Sequence, residues 1–465
     1  MRLAVARLGW ASLCLIPLST GIGRFWYLYI APGDGIAYAY RSIVVTPTDV
    51  LVLITCAGWL GWRWKSGVLV RLPRGSRLVI AALALVVLAA LASIVSAFDK
   101  RLAADVTVEL AVLVLFFVAM SDLLANFPRR QFVAGIAVAI VVQALLAGWQ
   151  ALTQSTAPAG FIFNGWTSEI SSRDPGASVV MLPIVGRWLR SYGSFPHPNI
   201  LGGFLALTMI GLVIARFLTF DRRQENESAD PVERQLRVLA LVAGTIALLL
   251  TFSRAAWLGV LLAAVTWVIF AGGTRTWPAS ATFRLGVASV AVIVVLFALV
   301  RVGSLGSLVE QNSLQTRAYY DGMAWVVIAK GAPVGAGNLV IAQQHVLGAA
   351  AAGSEPAHNV LLIALAELGP LGVAAWLAVL VSLLAVAWWR RTEPQTRAVP
   401  LVAVAVMAPL LVFDHYLWTQ PTGRALLIWA LALLTSMGAA APGKPLHTAA
   451  LEIVPTPREH AAPVR

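Results

Sequence analysis

Apolar residues run through this chain in long unbroken stretches, and polar positions collect in the breaks between them. A bilayer core demands about 20 apolar residues of a helix, and stretches near that length fall at 8–23, 47–64, 78–97, 104–125, 132–152 and 198–219. Six more fall at 236–252, 255–272, 284–302, 358–389, 398–415 and 421–441. Backbone groups in hydrocarbon must bond within their own segment, and no stretch shows period-2 alternation, so the pattern predicts helices and not barrel strands. The expectation is an all-α polytopic membrane protein of about 12 transmembrane helices. Residues 1–152 form an N-terminal set of helices, and 153–441 a second set with long loops at 153–197 and 303–357. The Pro-rich segment 442–465 reads as a disordered cytoplasmic tail.

Composition agrees: 59% of residues are hydrophobic and only 12% charged. In a soluble domain the net charge of +13 would suggest nucleic acid. Here the Lys and Arg sit mainly in short links such as "RWKSGVLVRLPRGSR" and "RRTEPQTR", where they anchor topology, so no nucleic-acid partner is expected. The larger share of them falls on one side if the N-terminus is cytoplasmic, which puts both ends inside and both long loops outside. Cys14 and Cys56 lie in predicted spans and offer neither a disulfide framework nor a zinc site. "MRLAVARLGWASLCLIPLST" has a basic start and an apolar centre but no Ala-x-Ala site, so it reads as an uncleaved first span.

This topology carries polar residues from distant segments to one outer face. They are Arg190 and "SFPHPN" with His197 and Asn199, Ser253 and Arg254 of "TFSRAAWLG", Arg317, His358 with Asn359, and Asp414 with His415. Of six histidines, four (His197, His345, His358 and His415) fall at or beyond that boundary. In "SEPAHN", Pro356 suits a first helical position with Ser354 or Glu355 as cap, which would set His358 in the first turn. The positive helix end disfavours an imidazolium there, leaving a neutral ring able to accept a proton. Pro198 starts a helix behind His197 in the same way, so two helix N-termini suited to an anion would face the site. Glu367 lies roughly 13 Å deeper at helical rise, where packing or hydrogen bonding is the expected role. Asp105 and Glu109 stand as partners for arginines.

Taken singly, a boundary histidine satisfies a helix end and an arginine snorkels; together they describe chemistry. Arginine forks match phosphate oxygens, and a neutral histidine beside them can deprotonate a hydroxyl. That combination suits group transfer from a lipid-linked diphosphate to an alcohol. A lipid-linked glycan transporter or flippase is the competing class, although such proteins carry polar groups through the membrane and often have broken helices. Metal chemistry ranks second: the ligand types are present, but no HExxH or DxD spacing is, and no cofactor is implied.

Five fragments in order resemble the O-antigen ligase and polymerase family of bacterial envelope glycosyltransferases. They are "RSYGSFPHPNILGGFLAL", "TFSRAAWLG", "TRAYYDGMAWVVIAKGAPVGAGNLV", "PAHNVLLIALAELGPLG" and "FDHYLWTQPTGRALLIWAL". The resemblance implies a relation to GT-C-type membrane glycosyltransferases, a place in the bacterial cytoplasmic membrane and a metal-independent, inverting transfer on its outer face. The donor it implies is an undecaprenyl-diphosphate-linked glycan, and the acceptor a lipid or glycan hydroxyl. It also implies that His358 is the catalytic base and that Arg190, Arg254 and Arg317 bind the donor diphosphate, supported by His197, Asn199, Asn359, Asp414 and His415. Ligases, polymerases and protein O-oligosaccharyltransferases share these motifs; the ligase-like alternative is preferred.

Overall fold

The computed structural model describes residues 2–23, 25–32, 40–67, 70, 72, 74–157, 169–182, 185–218, 231–271, 295, 308–348, 355–392 and 394–436. The helices follow the apolar stretches: α1 (Arg2–Ser19), α2 (Pro47–Ser66), α3 (Arg74–Ser93), α4 (Lys100–Asn126) and α5 (Arg129–Thr153). Then come α6 (Pro198–Leu218), α7 (Pro231–Leu250) and α8 (Arg254–Ala271), and beyond them α9 (Leu308–Gly331) and α10 (Leu339–Leu347). The chain closes with α11 (Val360–Trp389), α12 (Pro394–Phe413), the single turn α13 (Tyr416–Thr419) and α14 (Pro421–Ser436). The predicted span at 284–302 lies outside the described residues apart from Val295, and so does the tail at 442–465.

Seven of the described helices are long and apolar enough to cross a membrane: α3, α4, α5, α6, α8, α11 and α12. Two more, α1 and α14, are apolar but shorter. The remaining two matching predicted spans, α2 and α7, carry charge near one end, with Arg63 and Lys65 in the last turn of α2 and Glu233 in the first turn of α7.

One continuous core runs from Trp10 of α1 to Leu434 of α14. Small residues permit its closest helix crossings. The backbones of Gly9 in α1 and Gly58 in α2 approach so closely that a Cβ on Gly58 would lie 2.8 Å from Gly9. Two buried ion pairs hold α4. Arg424 of α14 grips Glu109 with both arms of its guanidinium, while Asp122 takes Arg63 Nε at 2.6 Å and Trp59 Nε1 at 2.7 Å. Sequence reasoning assigned Glu109 an arginine partner, and Arg424 is that partner.

Two expectations change. The fold is not purely helical, because two antiparallel hairpins, β1 (Trp26–Ile30) with β2 (Ser42–Val45) and β3 (Val179–Leu182) with β4 (Gly186–Leu189), stand between helices. They lie outside the spans, where backbone groups can pair across strands. The stretch 358–389 is also not one straight helix. Gly369 adopts φ 70°, ψ −165°, and Pro370 follows, so α11 breaks there. The backbone N–H groups of Val334 and Gly335 bond to the carbonyls of Ala366 and Glu367 at 3.0 Å each. The Glu367 carboxylate then accepts from Gly337 N–H at 2.9 Å, Leu339 N–H at 3.2 Å and Trp418 Nε1 at 2.8 Å. Pro370 has no N–H to give, and the segment after α9 supplies the bonds that the break leaves over.

Candidate active site

The N-termini of α6, α8 and α11 and the C-terminus of α12 meet at one end of the bundle. The β3–β4 hairpin delivers Arg190 to that point, its backbone N–H bonding Ser178 O at 3.0 Å. The Arg190 guanidinium donates to Thr251 O at 2.7 Å and to Asn199 Oδ1 at 2.5 Å, spending two of its five N–H groups. Burial lowers its pKa to about 10; Tyr192 opposes that shift, Arg254 and Arg317 add to it, and Asp414 opposes it more weakly. Three arginines from a hairpin, a helix start and α9 thus share one electrostatic neighbourhood. Asn199 passes the connection onward, donating from Nδ2 to Asp414 Oδ2 at 2.8 Å, and the other carboxylate oxygen accepts His415 N–H at 2.9 Å.

The three histidines of this cluster differ in what their ring nitrogens hold. His197 accepts Asn199 N–H on Nδ1 at 3.2 Å, so its proton sits on Nε2 and points to Ser178 Oγ at 2.9 Å. Both nitrogens are engaged. His415 Nδ1 lies 2.8 Å from Thr419 Oγ1, whose own hydroxyl donates to His415 O at 3.2 Å. The hydroxyl can therefore only accept from the ring, which places the His415 proton on Nδ1 and a lone pair on Nε2. His358 alone among the three has a ring nitrogen, Nδ1, that is buried with no hydrogen-bond partner. Its backbone N–H is held by Asp321 Oδ1 at 3.1 Å. Tyr320 stacks on its ring at a centroid distance of 6.2 Å, and the His415 ring stands edge-on to it at 4.9 Å.

Burial lowers the His197 pKa to about 3, with Arg190 adding to the effect, and lowers the His358 pKa to about 4, helped by His415. His415 is lowered by burial too, against the pull of Asp414. All three rings are neutral at pH 7. His358 is then a neutral, half-buried ring close to Arg317, with a buried Nδ1 that no protein group holds.

The structure corrects the local geometry expected around His358. The helix starts at Val360, and Asn359 is its cap, its side-chain oxygen accepting from Leu361 N–H at 3.0 Å and Leu362 N–H at 3.1 Å. His358 precedes the cap and does not lie in the first turn. An extended Asn with its own acceptor outcompetes a glutamate further upstream. Asn359 therefore acts as a cap. His197 does sit at the start of α6, its carbonyl receiving Ile200 N–H and Leu201 N–H. His345 stays apart, stacked on Phe98 at 5.1 Å.

Residues 239–377 match the family profile described as O-Antigen ligase. The chain is O-antigen ligase-like. Together with helices long and apolar enough to cross a membrane, this supports an O-antigen ligase-like membrane protein with a part in polysaccharide biosynthesis. The matched segment contains Arg254, Arg317 and His358, whereas Arg190, His197 and Asp414 reach the cluster from outside it. A comparison with curated proteins finds no match.

Several residues at this candidate site escaped sequence reasoning. Ser178, Tyr320 and Asp321 touch the histidines from loops and from α9. Gln143 and Gln150 of α5 fix the "YGS" segment after Arg190. Gln150 Oε1 accepts Tyr192 N–H and Gly193 N–H at 2.8 Å each, and Gln143 Oε1 accepts Ser194 N–H at 3.0 Å. One signal could have found the glutamines: two amides seven residues apart share a helix face in an otherwise apolar span.

Proposed function

We propose that this protein transfers a glycan from an undecaprenyl-diphosphate-linked donor to an acceptor hydroxyl at the outer face of the bacterial cytoplasmic membrane. His358 takes the hydroxyl proton, the acceptor oxygen attacks the anomeric carbon, and the sugar–phosphate bond breaks with its electron pair leaving on the diphosphate. Arg190, Arg254 and Arg317 hold that diphosphate and neutralise its growing charge. His197, Asn199, Asp414 and His415 position these groups, with twelve spans and both termini cytoplasmic. No metal takes part in the transfer. The observation that carries this reading is the unpartnered nitrogen of His358, in a neutral ring beside arginines, where the other two clustered histidines have a nitrogen committed to a neighbour. A base of this kind contributes about 10² to 10⁴ in rate.

The preferred acceptor is a sugar of a lipid-anchored core, a ligase-like transfer that the profile description supports, ahead of a lipid-linked repeat (polymerase) or a Ser or Thr side chain (protein O-oligosaccharyltransferase). A carrier of lipid-linked glycans is the second reading, and the break in α11 favours it. Against it, the protein itself fills that break, with Glu367 engaged by three N–H donors. Reconstitution with donor and several acceptors decides between them. The expected result is a new glycosidic bond with the native chain and none with His358→Ala, which still binds donor. Near-normal transfer by His358→Ala would overturn the base assignment, and movement of donor across the bilayer without bond formation would favour the carrier.

A further inference from the structure

Glu355, His358 and His415 each present one donor atom, and the three atoms lie within 4.8 Å of one another. The set of two imidazoles and one carboxylate is a three-ligand arrangement suited to zinc, which binds nitrogen and oxygen at about 2.0–2.2 Å and leaves a fourth position open. Magnesium and calcium prefer all-oxygen sites and suit this one poorly.

The surroundings prepare the ligands. The Thr419 hydroxyl locks the His415 proton on Nδ1 and leaves Nε2 with its lone pair, the outer-shell hydrogen bond that ligating histidines ordinarily carry. His358 brings a ring with a nitrogen that no protein group holds. Glu355 is exposed, so its side chain can move to draw the three atoms into bonding geometry. Arg317 opposes a cation here, whereas Glu355 and Asp414 favour one. The balance suits a moderate affinity, in the range of a regulatory site and not of a resident structural metal.

We infer that a zinc-class divalent cation binds Glu355, His358 and His415 and, by taking the lone pair of His358, switches transfer off. The inhibition rests on the role proposed for His358; the binding does not. A cation coordinated there competes with the acceptor proton for the same electrons, so metal and catalysis exclude each other.

The test uses the purified full-length protein with a tag free of histidine. Zn²⁺ is titrated calorimetrically, and transfer is assayed at the same concentrations. Expected are one saturable site, inhibition tracking its occupancy, and no effect of Mg²⁺. Glu355→Gln should retain metal-free transfer, bind Zn²⁺ at least about tenfold more weakly and escape inhibition to match. Thr419→Val, which frees the His415 tautomer, should cost about 10- to 100-fold in Zn²⁺ affinity. Absent binding, or equal binding by Glu355→Gln, overturns the metal site and leaves the proposed transfer standing. Saturable binding with transfer undiminished overturns the switch and removes His358 from the proton transfer.

Discussion

His197 and His358 both precede a helix, and both are neutral, yet only one keeps a nitrogen without a partner. Its low proton affinity has a measurable consequence. In the free protein the lone pair survives down to a pH of about 4, so kcat/KM should fall only as pH drops through that value. A bound diphosphate adds negative charge beside the ring and raises its proton affinity, so the acid limb of kcat should lie at higher pH than that of kcat/KM. Coincident limbs in the two profiles would mean that the diphosphate does not sit beside His358. Arg254 offers a second test at this scale. Lysine keeps the charge and loses the planar fork, so Arg254→Lys should cost about 1.5–3 kcal/mol, roughly 10- to 150-fold in kcat/KM. Most of these side chains were legible in the sequence because a charge or an imidazole at the edge of an apolar run has few bland explanations. Tyr320 and Asp321 were not, since polar and aromatic residues in a long loop are common and their partners lie 37 or 38 residues away.

Helices were legible from apolar runs, and their ends less so. Asn359 displaced the expected cap because cap choice is a competition among neighbouring side chains that only backbone geometry settles. The break in α11 hinges on Gly369, whose φ of 70° with ψ near 180° is a conformation reserved for glycine. Gly369→Ala should destabilise the protein by about 1–3 kcal/mol, seen as a lower Tm in detergent. Gly148→Ala, in the middle of α5 with open space around it, should be neutral or slightly stabilising. The Arg424–Glu109 pair joins α14 to α4 in the interior. Glu109→Leu strands a buried guanidinium at a cost of about 3–5 kcal/mol, and combining it with Arg424→Met should restore most of the lost Tm. A double variant no more stable than the single would show that the pair contributes by more than mutual compensation.

At the scale of the whole molecule, the proposed topology puts the cluster outside. A reporter fused after Arg223 should behave as cytoplasmic and one after Gly348 as external; the reverse pattern would place the site on the wrong side for a lipid-linked glycan. Helical architecture, membrane residence and the set of polar residues worth attention were all written in the sequence, because bilayer thickness sets span length and every buried charge must answer for its cost. Which imidazole has a buried nitrogen left without a hydrogen-bond partner was decided by tertiary structure alone. Ser178 is 19 residues from His197, while Asn199, Asp414 and Arg190 meet from three separate segments. Hydrogen bonds act over about 3 Å, and chain periodicity carries no record of which distant atoms will come that close.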